Sequence, residues 1–497
     1  MLQKKITLLI FCFLLSQLLS SQSNTFLTIS ADGLQEDVHI LEKTLKYYHP
    51  GIYRYNTEEE IDKGLADLRK QFSEEQGEAS VLLAFAKFAN QLQCGHTYTN
   101  PWNMDAALRK RFMDKVHYLP FGFQLIDQQM VITRNVSNIK EIQTGTIIQS
   151  INGIPVERII DSLLQVTKAD GLHTQAHRLK TLELDAFGMR DHQIFDMYFP
   201  LFFPMEKAAF EITYQDGDKT YSKLTPALSR ADRMQKMEEK YGKAPVKSEK
   251  WDFYIDENQV AVVQLSDFAI WSWDFDYKKW MADAFQQIKD QNAKGVVIDI
   301  RGNSGGLSEV SDELLTYLVK EDIQLENTYR QVIRNYQADS TLWPYLDGYD
   351  TSLKNGLPRE YVDPLDNGMY QLKTQGDSKL IQAKALAFSG PIFFVADATN
   401  SSATFSLLSA VQSNDIAKIV GEPGGGNKQG INGGSYFFLR LPNSKMEIDI
   451  PLIYYQPPTQ MPDESIQPDI SVKTTIEDIV NGKDAPMEKI KELMKEK

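Results

Sequence analysis

The sequence has little cysteine, little histidine and an excess of negative charge, and each of these excludes a class of protein. Its 497 residues include two cysteines and seven histidines. If the N-terminal segment that carries Cys12 is removed, Cys94 alone remains and no intramolecular disulfide can form. The 67 acidic side chains outnumber the 53 basic ones, giving a formal charge of −14. Nucleic-acid binding is therefore not expected, because it depends mainly on basic side chains that contact phosphates.

Long apolar runs are missing after residue 23, so no stable membrane span is expected in the rest of the chain. Residues 1–23 combine the basic start MLQKK with the apolar stretch ITLLIFCFLLSQLL and small polar residues. This pattern predicts a cleavable signal peptide, with a retained N-terminal anchor as the alternative. Cys12 lies inside the apolar stretch, which argues against lipid attachment there. The mature protein is therefore expected outside the cytoplasm, either periplasmic or secreted.

Histidine is also missing where a first candidate site would need it. Residues 302–306, GNSGG, follow the strand pattern GVVIDIR and match the G-x-S-x-G sequence of a nucleophile elbow, with Ser304 as the nucleophile. In that arrangement the catalytic histidine follows the serine in the chain. The last histidine here is His192. Ser304 is therefore not expected to be the nucleophile of an α/β-hydrolase.

The patterns that are present predict a multidomain α/β protein. The length suggests about three domains, and 42% hydrophobic with 24% charged residues is the composition of a folded globular chain. Helical spacing dominates the N-terminal region, short strands follow, and strands alternate with helices after Trp251. The predicted units are a signal peptide (1–23), a helical N-terminal domain (24–110), a small β-rich domain (115–168), a mixed linker or insert (169–250), an α/β core (251–482) and a charged C-terminal helix (483–497).

A second serine occupies a similar place later in the chain. The segment FFVADATNSSATFS runs from an apolar strand into a helix that begins near Ala403. At a helix N-terminus, backbone N–H groups and the helix dipole favour a developing oxyanion, which suits Ser402 as a nucleophile. Ser401 or Ser402 could instead be an N-cap, which is the interpretation that the segment favours when it is taken alone. The segment alone leaves both interpretations open.

Three motifs together indicate a family. VVIDIRGNSGG, DATNSSATFS and IVGEPGGGNKQG occur in the order and spacing of the S41 family of serine peptidases, the C-terminal-processing and tricorn-core proteases, which the chain resembles. CGHTYT, LPNSKMEIDIPLIYY and ESIQPDI resemble the retinoid-binding-protein-like branch of secreted bacterial members. Residues 115–168, with FGFQL and GTIIQSINGIPV, resemble the PDZ-like domain of these proteases. The resemblance implies a ClpP/crotonase-like α/β catalytic core over residues 251–482.

The resemblance also implies a nucleophile and an oxyanion hole. The family's serine falls on Ser402. The two glycines after DIRGN correspond to Gly305 and Gly306, whose backbone N–H groups would form the oxyanion hole together with that of Ala403. Ser304 then has only a supporting place in the glycine loop.

The catalytic base divides the family, and two candidates remain. The tricorn-like branch uses a histidine, which GHTY places at His96, and a neutral imidazole needs little pKa adjustment to act near neutral pH. The C-terminal-processing branch uses a lysine at the position of Asn427, and the adjacent Lys428 is the alternative base. His96 could also be a core histidine satisfied by its neighbours. The third catalytic residue is expected at Glu464, with Asp463 as the other nearest carboxylate.

Two other histidine-based sites are weaker candidates. His173 and His177 are four residues apart, as two metal ligands on a helix could be. However, HTQAH lacks the glutamate of H-E-x-x-H, and no third ligand is evident. Cys94 lies two residues before His96, but adjacency in sequence does not create a nucleophile–base pair. No metal and no organic cofactor are therefore expected.

The sequence as a whole predicts a secreted serine endopeptidase, a hydrolase that acts on polypeptide substrates. Its PDZ-like domain is a candidate for recognising substrate C-termini. A non-catalytic peptide-binding protein on the same fold is one alternative, and an esterase that uses the same serine is another. The cleavage preference and the oligomeric state stay open.

Overall fold

The structure is a computed structural model that describes residues 26–184, 193–243, 251–325, 329–348, 353–373 and 379–495. The predicted signal peptide, residues 1–23, lies outside these ranges. The helices of the described residues are α1 (Ala31–Tyr48), α2 (Glu58–Gln71), α3 (Glu78–Gln91), α4 (Ala106–Met113), α5 (Val156–Leu164), α6 (Gln175–Leu182), α7 (Ile194–Phe202), α8 (Arg230–Tyr241), α9 (Tyr277–Asp290), α10 (Ser308–Leu318), α11 (Ala403–Ser413), α12 (Ile476–Asn481) and α13 (Ala485–Lys495). None of these helices is long and apolar enough to cross a membrane.

The strands of the described residues form two-stranded and larger sheets. In chain order they are β1 (Thr28–Ile29), β2 (Gln76–Gly77), β3 (Phe121–Ile126), β4 (Gln129–Asn135), β5 (Ile147–Ile151), β6 (Ile154–Pro155), β7 (Ala209–Asp216), β8 (Lys219–Pro226), β9 (Trp251–Ile255), β10 (Val260–Leu265), β11 (Gly295–Asp299), β12 (Ile323–Leu325), β13 (Arg330–Ile333), β14 (Leu346–Asp347), β15 (Val362–Pro364), β16 (Tyr370–Leu372), β17 (Lys379–Ile381), β18 (Ile392–Ala396), β19 (Lys418–Gly421), β20 (Ile431–Arg440), β21 (Glu447–Gln456) and β22 (Ile470–Ser471).

The N-terminal region is helical because its sequence carries helix signals. Ser30 caps α1, its Oγ accepting the N–H of Gly33 at 3.3 Å. Thr57 and Glu60 form the capping box that the sequence predicts at the start of α2. α3 is apolar on most of its sides and is largely buried. The loop that follows α3 carries His96 towards the rest of the protein.

A small sheet follows, with strand order β3-β4-β5-β7-β8 and β6 paired to β5. In the turn between β5 and β6, Asn152 and Gly153 have positive φ angles of 54° and 73°, as an Asn-Gly turn predicts. The hairpin predicted in FEITYQDGDKTYSKL is formed by β7 and β8. The sheet thus combines strands from residues 115–168 with two strands from residues 169–250.

The core sheet has the strand order β22-β19-β18-β11-β10-β9. Its strands are parallel except for β9, which is antiparallel at one edge. β11 and β18 are buried at every residue, as their apolar sequences predict for central strands. Helices α9, α10 and α11 cover one face and α13 covers the other. The loops after β11 and β18 are therefore neighbours at the carboxyl edge of the sheet, and the predicted multidomain α/β class is confirmed.

A third sheet has the strand order β14-β20-β21-β13-β16-β15. Its strand β21 contacts the loop that carries His96. Just after His96, Thr99 forms a bridge with Ile448, and the N–H of Asn100 donates to the carbonyl of Glu447 at 2.9 Å. Apolar side chains of β20 and β21 share one hydrophobic core with the N-terminal helices. His96 is therefore positioned by β21, which follows it in the chain by several hundred residues.

Candidate active site

The glycine loop, residues 300–306, follows β11 and is held from within by Asn303. This side chain is fully buried. Its Nδ2 donates to the last carbonyl of β10 at 2.7 Å, and its Oδ1 accepts the N–H of Gly305 at 2.9 Å. The N–H of Phe268 donates to the carbonyl of Gly305 at 3.3 Å, and the carbonyl of Phe268 accepts the N–H that follows the loop at 2.9 Å. These bonds fix the loop to the segment after β10.

The loop after β18, residues 397–402, is tied to the glycine loop by a second buried asparagine. The Nδ2 of Asn400 donates to the carbonyl of Asn303 at 3.0 Å, and its Oδ1 accepts the first N–H of its own loop at 2.8 Å. The Oγ of Ser401 donates to the carbonyl of Ser304 at 3.1 Å. The two loops therefore form one hydrogen-bonded unit, which we call the serine–glycine platform (residues 300–306 and 397–402).

Ser402 ends this platform, immediately before α11, with φ 53° and ψ −124°. L-residues rarely adopt this conformation, and it persists only where the surrounding structure imposes it. The side chain makes no capping hydrogen bond to α11, so the hydroxyl is not used to stabilise the helix. Gly305 packs directly against it, since a Cβ placed on Gly305 would lie 2.7 Å from the Cβ of Ser402.

The three amides predicted for the oxyanion hole lie in or beside the platform. The N–H of Gly305 donates to Asn303. Within the described residues, the N–H groups of Gly306 and Ala403 have no hydrogen-bond partner. The Ala403 nitrogen would lie 2.9 Å from a Cβ placed on Gly305, so it faces the glycine loop closely. Two of the predicted donors are thus available to a ligand, and the third already has an acceptor.

His96 lies in the turn after α3, and its neighbour Thr97 is held by the buried His49. The Nε2 of His49 lies 2.9 Å from Thr97 Oγ1, while its Nδ1 accepts the N–H of Gly51 at 3.1 Å. Since Nδ1 accepts, Nε2 carries the proton and donates to the threonine. The Nδ1 of His96 itself is buried without a partner among the described residues. Its ring lies beside Tyr436, with 5.9 Å between the ring centroids.

Burial and nearby positive charge keep His96 uncharged. Burial, with the charges of Lys168 and Arg54 as smaller causes, lowers the pKa of His96 to about 3. The ammonium of Lys168 lies 3.5 Å from the centre of the Tyr98 ring, and burial also lowers the pKa of this lysine. Burial raises the pKa of Asp449 to about 7 against the opposing charge of Lys168. His96 is therefore a neutral imidazole near neutral pH.

A cleft of about 1250 Å³ joins these elements. His96 lines it from the N-terminal region, Ser304 and Ser401 line it from the platform, and Phe123 lines it from the small sheet. Within the ranges that the structure describes, no hydrogen bond joins His96 to Ser402. The structure thus brings the predicted base and the platform to one cleft without bonding the two side chains to each other.

Lys428 and Glu464, predicted as the alternative base and the third catalytic residue, pair with each other. The Nζ of Lys428 lies 2.8 Å from the Oε1 of Glu464, and the backbone N–H of Lys428 donates to the Glu464 carbonyl at 2.8 Å. Asn427 is fully buried and donates through Nδ2 to Asp463. Among the described residues, no hydrogen bond joins Glu464 to His96.

The weaker histidine candidates do not form sites of their own. His173 is exposed, whereas His177 is buried with its Nδ1 2.6 Å from the carbonyl of Ala398. In the described part of the chain, no group of three or more His, Cys, Asp or Glu side chains could hold a metal ion. The Sγ of Cys94 is buried and lies 3.3 Å from the Nδ2 of Asn432.

Three supporting residues carry a weak sequence signal or none. Asn303 and Asn400 each follow a buried strand, and a polar residue in that place is a signal for a loop contact at the sheet edge. His177 has no such signal, because it meets the platform at Ala398, far along the chain. The sequence motifs therefore predicted the two loops of the platform, but they did not predict that the side chains of Asn303, Asn400 and His177 would hold these loops in place.

Comparison with known proteins relates this arrangement to a family. Residues 259–472 match the model of peptidase family S41. The fold is similar to that of a CPAF mutant, at 14% identity over 90% of this chain and 94% of that chain (TM-score 0.62). It is also similar to mature CPAF complexed with lactacystin, at 13% identity over 94% and 98% (TM-score 0.62). No curated protein matches the chain. The predicted resemblance is confirmed over residues 259–472, the segment that matches peptidase family S41.

Proposed function

We propose that the protein is a secreted serine endopeptidase that hydrolyses peptide bonds in polypeptides, with Ser402 as the nucleophile. The observation that carries the proposal is the conformation of Ser402. It is held at positive φ against Gly305, at the start of a buried helix, and its hydroxyl does not cap that helix. Strained backbone of this kind is concentrated at functional sites. The unpaired amides of Gly306 and Ala403 support the same role.

In the proposed reaction, the Oγ of Ser402 attacks the carbonyl carbon of the scissile bond while His96 accepts the hydroxyl proton. The N–H groups of Gly306 and Ala403 donate to the oxyanion. His96 then gives the proton to the leaving amine, and water repeats the sequence to release the acyl group. Since the two side chains are not bonded in the free protein, substrate binding must bring the Nε2 of His96 to the Oγ of Ser402.

A hydrolysis assay separates this proposal from its alternatives. Purified protein lacking residues 1–23 is incubated with an unfolded polypeptide and, separately, with a small ester. Cleavage of the polypeptide supports a peptidase. Ester hydrolysis without polypeptide cleavage would indicate an esterase, and binding without any hydrolysis would indicate a non-catalytic peptide-binding protein.

His96 is proposed as the base in preference to Lys428. The Lys428 ammonium donates to Glu464, and an ammonium has no lone pair to accept the serine proton. We expect His96→Ala to lower kcat/KM by about 10³-fold, the usual size of a general-base contribution. Lys428→Ala is expected to change it by less than about fivefold, the effect of losing one partly exposed ion pair. Initial rates of polypeptide cleavage measure both.

The opposite ranking of these two variants, with the larger loss of kcat/KM in Lys428→Ala, would assign the base to Lys428.

The role of Glu464 as third catalytic residue stays a prediction. Glu464→Gln separates it from a purely structural role: a catalytic carboxylate would show as a loss of kcat in a variant whose thermal unfolding is unchanged.

The low pKa of His96 sets an acid limit for the reaction. The imidazole stays able to accept a proton until the pH approaches 3, far below the limit of an ordinary histidine. Lys168→Met removes a positive charge that disfavours the imidazolium, so the pKa of His96 should rise. The acid limb of kcat/KM should then move to higher pH. Profiles between about pH 3 and pH 8 measure this, with folding checked by circular dichroism.

Lys180 supplies the matched control for that profile. It lines the same cleft but is not among the charges that act on the pKa of His96, so Lys180→Met should leave the acid limb in place. A wild-type limb near the ordinary histidine pKa of about 6.5 would contradict the low pKa of His96, while the loss of that limb in His96→Ala would still identify His96 as the base.

Two finer features belong to the same proposal. Removal of residues 1–23 during export would place the enzyme in the periplasm or outside the cell. N-terminal sequencing of the protein recovered there checks whether these residues have been removed.

Recognition of substrate C-termini by the small sheet is supported by its resemblance to a PDZ-like domain. Comparing cleavage of one polypeptide with a free and an amidated C-terminus tests that step, because only a free carboxylate would be recognised.

A further inference from the structure

The segment after β10 presents an exposed indole to the cleft. Trp271 is 64% exposed, whereas Trp251, at the start of β9, is 4% exposed. Trp271 lines the same cleft as His96 and Ser401. A single exposed aromatic side chain needs no special explanation. The location of Trp271 does need an explanation, because the segment that carries this residue is in backbone contact with the glycine loop.

The backbone on both sides of Trp271 is anchored. Phe268 is fully buried and bonded to the glycine loop. A Cβ placed on Gly306 would lie 2.1 Å from the carbonyl carbon of Phe268, so the two backbones touch. Ile270 is 5% exposed, and the N–H of Trp273 donates to its carbonyl at 2.9 Å, closing a turn around Trp271. The backbone that carries the indole is therefore fixed next to the glycine loop.

We infer that Trp271 determines substrate specificity: its indole forms one wall of a subsite for an apolar or aromatic side chain of the polypeptide, close to the scissile bond. The inference rests on the proposed function, since Ser402 and the amide of Gly306 set the position of the scissile carbonyl. A peptide bound there places a neighbouring side chain within reach of the indole. Other apolar side chains line the same cleft: Phe123, Val166, Leu184, Ile194 and Met197.

The chemistry of this wall discriminates between side chains. An aromatic or aliphatic group buries apolar surface against the indole and can stack on it. A carboxylate in the same place would lose hydration without gaining a partner from the indole face. The subsite should therefore favour Phe or Leu over Asp at one position of the peptide.

The test measures binding in the Ser402→Ala background, where peptides stay intact. Two peptides differ only in a central Phe or Asp. We expect Trp271→Ala to raise the Kd of the Phe peptide about tenfold and to leave that of the Asp peptide unchanged, while Trp271→Phe keeps the preference. Trp343→Ala is the matched control, since Trp343 is 40% exposed and does not line the cleft.

The outcomes separate this inference from the proposed function. If Trp271→Ala binds both peptides as the parent does, the inference is overturned, whatever the activity of the enzyme with Ser402 intact. If the parent prefers the Phe peptide through Trp271 but the protein with Ser402 cleaves neither peptide nor polypeptide, the subsite stands and the peptidase proposal fails. A loss of affinity in Trp343→Ala as large as in Trp271→Ala would also overturn the inference.

Discussion

Ser402→Ala is expected to lower polypeptide hydrolysis by a factor on the order of 10⁴ or more, because no other group can form the acyl intermediate. Ser304→Ala should leave the rate within about threefold, since side-chain changes on the surface usually have small effects. Ser304 is exposed and contributes to the platform through its backbone carbonyl, which alanine retains. Initial rates on an unfolded polypeptide measure both variants.

Ser401→Ala is the matched control for the nucleophile, because it removes a neighbouring hydroxyl that bonds the carbonyl of Ser304. It should lower stability by about 1 kcal/mol, the typical worth of one hydrogen bond, and keep most of the activity. A serine-reactive fluorophosphonate should label Ser402 in wild type and label nothing in Ser402→Ala, as read by peptide mass spectrometry. Undiminished cleavage by a correctly folded Ser402→Ala protein would remove Ser402 from the mechanism.

The strand–loop–helix structure around both platform loops was predictable, because the local sequence of each segment determines it. GVVIDI and PIFFVADA are apolar stretches of strand length that end in polar or glycine-rich loops, and helical spacing follows each. The two segments look alike because β11 and β18 are adjacent parallel strands whose loops leave the same sheet edge. The absence of histidine after Ser304 argued against an α/β-hydrolase nucleophile there, and the family resemblance placed the predicted nucleophile at Ser402.

The contacts that hold the site were not predictable, because they join residues distant in the chain. Asn303 and Asn400 are separated by 97 positions, and no local pattern marks which loop amide will be buried. His96 reaches the cleft only through the pairing of its following segment with β21. The ion pair of Lys428 and Glu464 joins two residues for which the motifs implied different roles.

Gly305→Ala is expected to lower kcat by about 10²- to 10³-fold, the effect of displacing the Ala403 amide as an oxyanion donor, while KM changes little. Gly305 has φ +106°, and a Cβ there would lie 2.7 Å from the Ser402 Cβ, 2.8 Å from the Ser401 carbonyl oxygen and 2.9 Å from the Ala403 nitrogen. Two of these are backbone atoms that cannot rotate away. The nucleophile and an oxyanion donor must therefore shift together, and steady-state kinetics measures the result.

Gly153→Ala separates this effect from the general cost of replacing a glycine at positive φ. Gly153 has φ +73° in an Asn-Gly turn, and a Cβ there would meet nothing within 4 Å. It should cost about 1–2 kcal/mol of stability and leave kcat unchanged. Thermal unfolding of both variants shows how much each loses through backbone strain. If Gly305→Ala keeps wild-type kcat, the close approach of Gly305 to Ser402 has no catalytic role, and the glycine loop serves only the packing of the platform.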